Sequence, residues 1–171
     1  VMTRKTPRRL LELLQVIVAF GQDNVPISRV MDTLWPEADG DAAYRALISA
    51  VARLRKLLGH ADAIIFQEGR LGLNLTMVWV DAVAFELFVE ESNCIPPTGA
   101  SQSKRVVEQA LQLYRGAFLI DEPETAWAEP TRERFRAKYI RLVETSVQSW
   151  QARGNWEEAI AQTERAIQIE P

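Results

Sequence analysis

Residues 44–60 read YRALISAVARLRKLLGH. On a helical wheel at about 100° per residue, Ala43, Leu47, Ala50, Val51, Leu54 and Leu58 gather on one side, and Arg45, Ser49, Ala52, Arg53 and Lys56 on the other. Arg55 sits at the border. The spacing predicts a helix over 41–58 that buries its leucines, starts from an N-cap at Asp39 or Asp41 and stops at Gly59. Its outer side is unusual, because no acidic residue occurs between Asp41 and Asp62. A helix side that only meets water normally mixes glutamates among its cations. This side is either a solvated face or a surface that meets something negative.

The flanking segments frame that helix. PRRLLELLQVIVAFG (7–21) predicts a first helix, with Pro7 at its first position and Gly21 just past its end. QDNVP is a polar turn, and ISRVMDTLW (27–35) is a short second helix stopped by Pro36. After the third helix, Ala63–Gln67 is β-prone, Glu68-Gly69-Arg70 can turn, and Leu71, Leu73 and Leu75 alternate, as in a β-hairpin. VWVD (78–81) suggests one more short extended piece, with Asp81 free to cap the next helix. Three helices and a hairpin make the order of a winged helix-turn-helix.

From residue 81 onward the pattern is all-helical, with helices expected at 82–92, 102–115, 128–153 and 155–169. SNCIPPTGAS and FLIDEPETAWAEP are the long connections, Pro130 falls early in the third of these helices, and Gly154 ends it. Asn155 with Glu158 has the form of a capping box. GNWEEAIAQTERAIQIEP has the spacing of half a tetratricopeptide repeat: Gly154 for the turn, Trp156 as packing aromatic, Ala159 and Ala166 for close approach, Pro171 as stop. Another repeat would begin where the sequence ends, so further chain, or a partner over that end, is expected. The fold class is therefore mainly α: a winged helix-turn-helix over 1–78 and a helical, repeat-like domain over 79–171.

Composition sets the limits. The 171 residues are 47% hydrophobic and 25% charged, ordinary for a soluble protein. No apolar run is long enough to cross a bilayer, and the basic start lacks a cleavage signal. One cysteine, Cys94, excludes an internal disulfide, and the expected compartment is the cytoplasm. The formal net charge is −3, unevenly spread: residues 1–75 hold ten Lys/Arg and eight Asp/Glu, residues 76–171 ten and fifteen. The N-terminal half is the one suited to an anionic partner. Catalysis has no constellation to support it. His60 is the single histidine and comes directly after the glycine that ends the third helix. Asp121, Glu122, Glu124 and Glu129 lie in a proline-containing connection with no histidine near, so loop charges explain them better than a metal site. No phosphate-binding loop is present, no cofactor is expected, and Trp35, Trp79, Trp127, Trp150 and Trp156 read as core anchors.

LLELLQVIVAFGQDNVPISRVMDTLWPEADGDAAYRALISAVARLRKLLG resembles the winged-helix domain, of the OmpR/PhoB type, at the head of bacterial transcriptional activator domain (BTAD) regulators. These include the antibiotic regulatory proteins of actinomycetes and the related carboxy-terminal parts of large MalT-like regulators. LWPEADGDAA, VARLRKLLG, GRLGLN and VWVDAVAFE are the most specific pieces, and ALQLYRGAFLIDEPETAWAEPTRERFRAKYIRLVE resembles the helical region of the same regulators. The resemblance implies a DNA-binding transcriptional regulator. Its third helix would enter the major groove, with Arg53 reading bases, Arg45, Arg55 and Lys56 near phosphates, Ser49 on the same side, and Arg70 on the wing near the minor groove. Relatives place a small β-sheet before the first helix, whereas this sequence opens almost at that helix. Ala50 and Ala52 stand where response-regulator relatives often carry polar contacts. The implied partners are double-stranded DNA and, through the helical domain, the transcription machinery, other protein domains or a second copy. The alternative is a protein-interaction module whose winged helix docks protein instead of DNA.

Overall fold

The computed structural model describes residues 8–94, 100–122 and 125–170. The chain divides into two compact units, the first ending at Trp79 and the second starting at Val80.

The first unit holds α1 (Arg8–Ala19), β1 (Val25–Pro26), α2 (Ile27–Leu34), α3 (Gly40–Leu58), a short 3₁₀ turn at Ala61–Ala63, β2 (Ile64–Gln67) and β3 (Arg70–Leu73). Its core is aliphatic: Leu13, Val16, Ile17, Val30, Leu47 and Leu54 from the three helices close over Val25, Ile64 and Leu71 from the strands. Each such side chain contributes on the order of 1.5–3 kcal/mol by leaving water. Pro7, expected at the start of α1, lies outside the described residues. The end of α1 closes as expected: Gly21 takes a positive φ of 115°, and the amide of Gln22 reaches back to the Ile17 carbonyl.

The sheet is larger than a hairpin. Its order is β1-β3-β2, all antiparallel, with Val25 opposite Leu71 and Ile64 opposite Leu73. β1 falls inside the stretch expected to be a plain turn. Pro26 has no amide to donate, and a sheet edge is where that loss is tolerated. The hairpin turn is Glu68-Gly69, both at positive φ (49° and 70°), the two-residue geometry that matches strand twist. Gly72 is a close-approach position, since a β-carbon there would sit 3.2 Å from the Asp23 carboxylate. The expected extended piece at 78–81 pairs with no strand among the described residues, and Asp81 already opens the next helix. The amides of Met77 and Val78 both donate to the Asn74 carbonyl, so the chain turns away after Leu73, leaving Leu75 exposed.

The second unit is α4 (Asp81–Cys94), α5 (Ala100–Leu113), a 3₁₀ turn at Ala126–Ala128, α6 (Glu129–Ala152) and α7 (Trp156–Ile169). α4 packs chiefly on α5 and α6 on α7, and α4 and α5 also meet α6. The core is aromatic. Tyr114 and Tyr139 stack at 4.2 Å, and Phe85 meets the rings of Tyr114 and Phe135. Arg132 donates to the carbonyls of Phe118, Leu119 and Glu122, which holds that connection on α6, and it pairs with Glu129. Glu86 is buried and takes hydrogen bonds from Arg134 and Lys138.

The second unit also corrects several expectations. α4 continues through Ser92, Asn93 and Cys94, and α5 already starts at Ala100 and ends at Leu113, so both helices take residues that the sequence placed in the connection 92–101; its middle, 95–99, lies outside the described residues, as do Glu124 and Pro171. Asn155 makes no side-chain cap. Its ψ of 67° is not the extended cap geometry, and its amide is used to close the Gly154 turn onto Trp150. Of the repeat-like positions, Gly154 has a positive φ of 77°, Ala159 is buried and Ala166 packs on the core, but Trp156 is exposed. Trp79 is exposed too, so of the five tryptophans only Trp150 is buried.

Candidate nucleic-acid interface

The surface of interest is the solvent side of α3. The helix is locked at both ends. Asp39 accepts a hydrogen bond from the Ala42 amide at 2.7 Å, and Gly59 closes the far end with a left-handed φ of 81°. Between these caps Ala43, Leu47, Ala50, Val51 and Leu54 are buried. Arg45, Ser49, Ala52, Arg53 and Lys56 are all exposed, as their places on the wheel require.

The neighbouring hairpin is tied to the helices at its tip. The carbonyl of Gly69 accepts the Ile27 amide at 3.0 Å, so the turn supplies the partner that the first amide of α2 would otherwise lack. Arg70 is exposed beside that turn and donates to the Asn24 carbonyl at 3.1 Å. Arg55 is half-buried and directed toward the hairpin, with Nε and Nη2 both donating to the Ile64 carbonyl. That contact makes it a tie between α3 and β2.

The remaining cations of the unit sort themselves by partner. Arg8 and Arg9 pair with Glu12. Arg29 lies over the Phe20 ring at 3.8 Å. Among the described residues of this unit, Arg45, Arg53 and Lys56 make no hydrogen bond, ion pair or ring contact, and all three are on the one exposed side of α3. From Arg45 to Lys56 the helix rises about 16 Å. A rigid rod presenting three unneutralised cations can meet a row of phosphates or base edges.

Sequence reasoning assigned neither Tyr44 nor Ile48 to this surface. They are 44% and 37% exposed and form, with Ala52, a column spaced four residues apart. The same wheel contained the signal, since Tyr44 and Ile48 fall on either side of the border residue Arg55 rather than among Leu47, Ala50 and Leu54.

A family profile described as bacterial transcriptional activator domain matches residues 80–171, more than half of the chain. The chain belongs to the bacterial transcriptional activator domain family. The matched segment begins at Val80, where the second compact unit begins. No curated protein and no solved structure gives a significant match. The family is one of transcriptional regulators, and none of the described helices is long and apolar enough to cross a membrane.

Proposed function

We propose that this BTAD-family chain is a DNA-binding transcriptional regulator, with a winged helix-turn-helix over 1–78 and a repeat-like helical domain over 79–171. α3 enters the major groove. Arg53 reads base edges, Arg45 and Lys56 meet phosphates, Ser49 assists on the same side, and Arg70 lies near the minor groove. Arg55 holds the hairpin in place beside the groove helix. The observation that carries this reading is the set of three exposed cations, without partners among the described residues, on one side of a doubly capped helix. Holding three like charges together in water brings no stability of its own, whereas an anionic groove gives them partners. The protein acts in the cytoplasm, where its DNA is.

The helical domain serves protein contact: the transcription machinery, another domain or a second copy. Trp156, Ile160 and Ile167 favour this, because they share the outer side of α7 and are each more than half exposed. If protein contact were the whole function, the winged helix would be a docking platform. Salt dependence separates the two. The chain is mixed with a random duplex pool, and bound DNA is selected and sequenced at two ionic strengths. An enriched motif whose binding weakens steeply with salt supports the regulator. A folded chain that binds no duplex at either salt favours the docking module.

A further inference from the structure

The solvent side of α3 is divided lengthwise. Tyr44, Ile48 and Ala52 form a column on the edge nearer Arg55 and the hairpin, Arg45, Ser49, Arg53 and Lys56 lie beside it, and Leu57 is exposed singly at the far edge. A lone exposed apolar residue needs no explanation. Here a β-branched isoleucine, a poor choice for a solvated helix position, stands between an aromatic ring and an alanine, beside three cations without partners among the described residues. The floor of the major groove offers one apolar group, the C5-methyl of thymine. We propose, resting on the DNA-binding reading above, that Ile48 and Ala52 are specificity-determining residues that pack on thymine methyl groups, so that the bound half-site carries thymines flanking the base pair read by an arginine.

The dimensions agree. Tyr44 to Ala52 spans about 12 Å along the helix axis, the length of three to four base steps at about 3.4 Å each. Ala52 has no side chain beyond Cβ, which lets the backbone come close to the groove floor at that level. Ile48 reaches further and covers the next methyl. A protein partner on this surface would have to leave Arg45, Arg53 and Lys56 without counter-charges or supply acids to all of them. Duplex DNA supplies both the methyl groups and the phosphates.

The test uses the full chain and its best selected duplex, with each thymine replaced in turn by deoxyuridine, which lacks only the methyl. Replacement at one or two adjacent positions weakens binding about fourfold each, the worth of one buried methyl-sized group. Ile48→Ser binds the thymine and deoxyuridine duplexes alike at its position, and Ile48→Val retains the discrimination. Binding that is strong but indifferent to every deoxyuridine overturns this inference and leaves the DNA-binding reading intact. Sensitivity that persists in both Ile48→Ser and Ala52→Gly overturns the assignment to these residues. Absence of duplex binding by the folded chain overturns both the inference and the reading beneath it.

Discussion

Arg55 donates two hydrogen bonds, from Nε at 3.1 Å and Nη2 at 2.6 Å, to the carbonyl oxygen of Ile64. The pairing joins the last turn of α3 to the first residue of β2, so a side chain sharing the helix with the exposed cations serves the hairpin. Arg55→Ala removes a charge-assisted contact at a half-buried site and lowers unfolding free energy by about 1–2 kcal/mol. Its effect on DNA binding differs from that of a phosphate contact: affinity falls while the salt slope stays unchanged. Urea unfolding and titrations at three salt concentrations test this, and a reduced slope would return Arg55 to the phosphate set.

Arg53 and Lys56 give the complementary result. Both are exposed and partnerless among the described residues, so alanine at either position changes stability by no more than about 0.5 kcal/mol. Arg53→Ala costs roughly 1–3 kcal/mol in DNA affinity and relaxes preference at one base pair, whereas Lys56→Ala weakens all sequences alike and lowers the salt slope by about one. Repeating the selection with each variant separates the roles. An unaltered motif with Arg53→Ala removes it as the reader.

How much of the fold and site was legible depended on how local each signal was. α3 could be read almost in full, because Leu47, Val51 and Leu54 repeat at helical spacing and Gly59 ends it, with the N-cap left between Asp39 and Asp41 until the structure gave it to Asp39. The β2–β3 turn was legible from Glu68-Gly69 for the same reason. β1 was not: it is two residues long, one of them proline, and it exists only because β3, some 46 residues away, pairs with it. Arg55 stood at the border of the wheel, and its task depends on where the hairpin returns, which no spacing within α3 encodes. Trp79 and Trp156 defied expectation because size and hydrophobicity favour burial on average, while their exposure reflects what packs beside them. The apolar column on α3 was present in the spacing but shares its side of the helix with the more conspicuous cations.

Glu86 anchors α4 to α6. It is 9% exposed and takes hydrogen bonds from Arg134 and Lys138, both only partly buried. Glu86→Ala leaves two cations facing a site built for a carboxylate and destabilises the second unit by about 1–3 kcal/mol, solvent at the cations holding the loss below that of a fully buried pair. In a double-mutant cycle with Lys138→Met the losses are not additive, with a coupling of at least about 0.5 kcal/mol. Additive losses in chemical unfolding would mean that the pair is not coupled.

Tyr114 makes stability depend on pH at the alkaline end. Its ring is stacked on Tyr139 and its hydroxyl donates to Glu170, so desolvation first and the Glu170 hydrogen bond second push its pKa above the ordinary phenol value. Tyr139 is raised too, chiefly by burial. The folded state therefore keeps protons that the unfolded chain releases near pH 10. Below that pH the stabilisation is fully present. As pH rises through about 10 the unfolded state binds fewer protons than the native one, so unfolding free energy falls. Tyr114→Phe loses the hydrogen bond, which lowers stability at neutral pH, and it makes the alkaline fall shallower, with Tyr139 accounting for part of what remains. Unfolding curves from pH 8 to 11 for both proteins measure the difference, and equal slopes above pH 10 would show that the Tyr114 proton is not held by the fold.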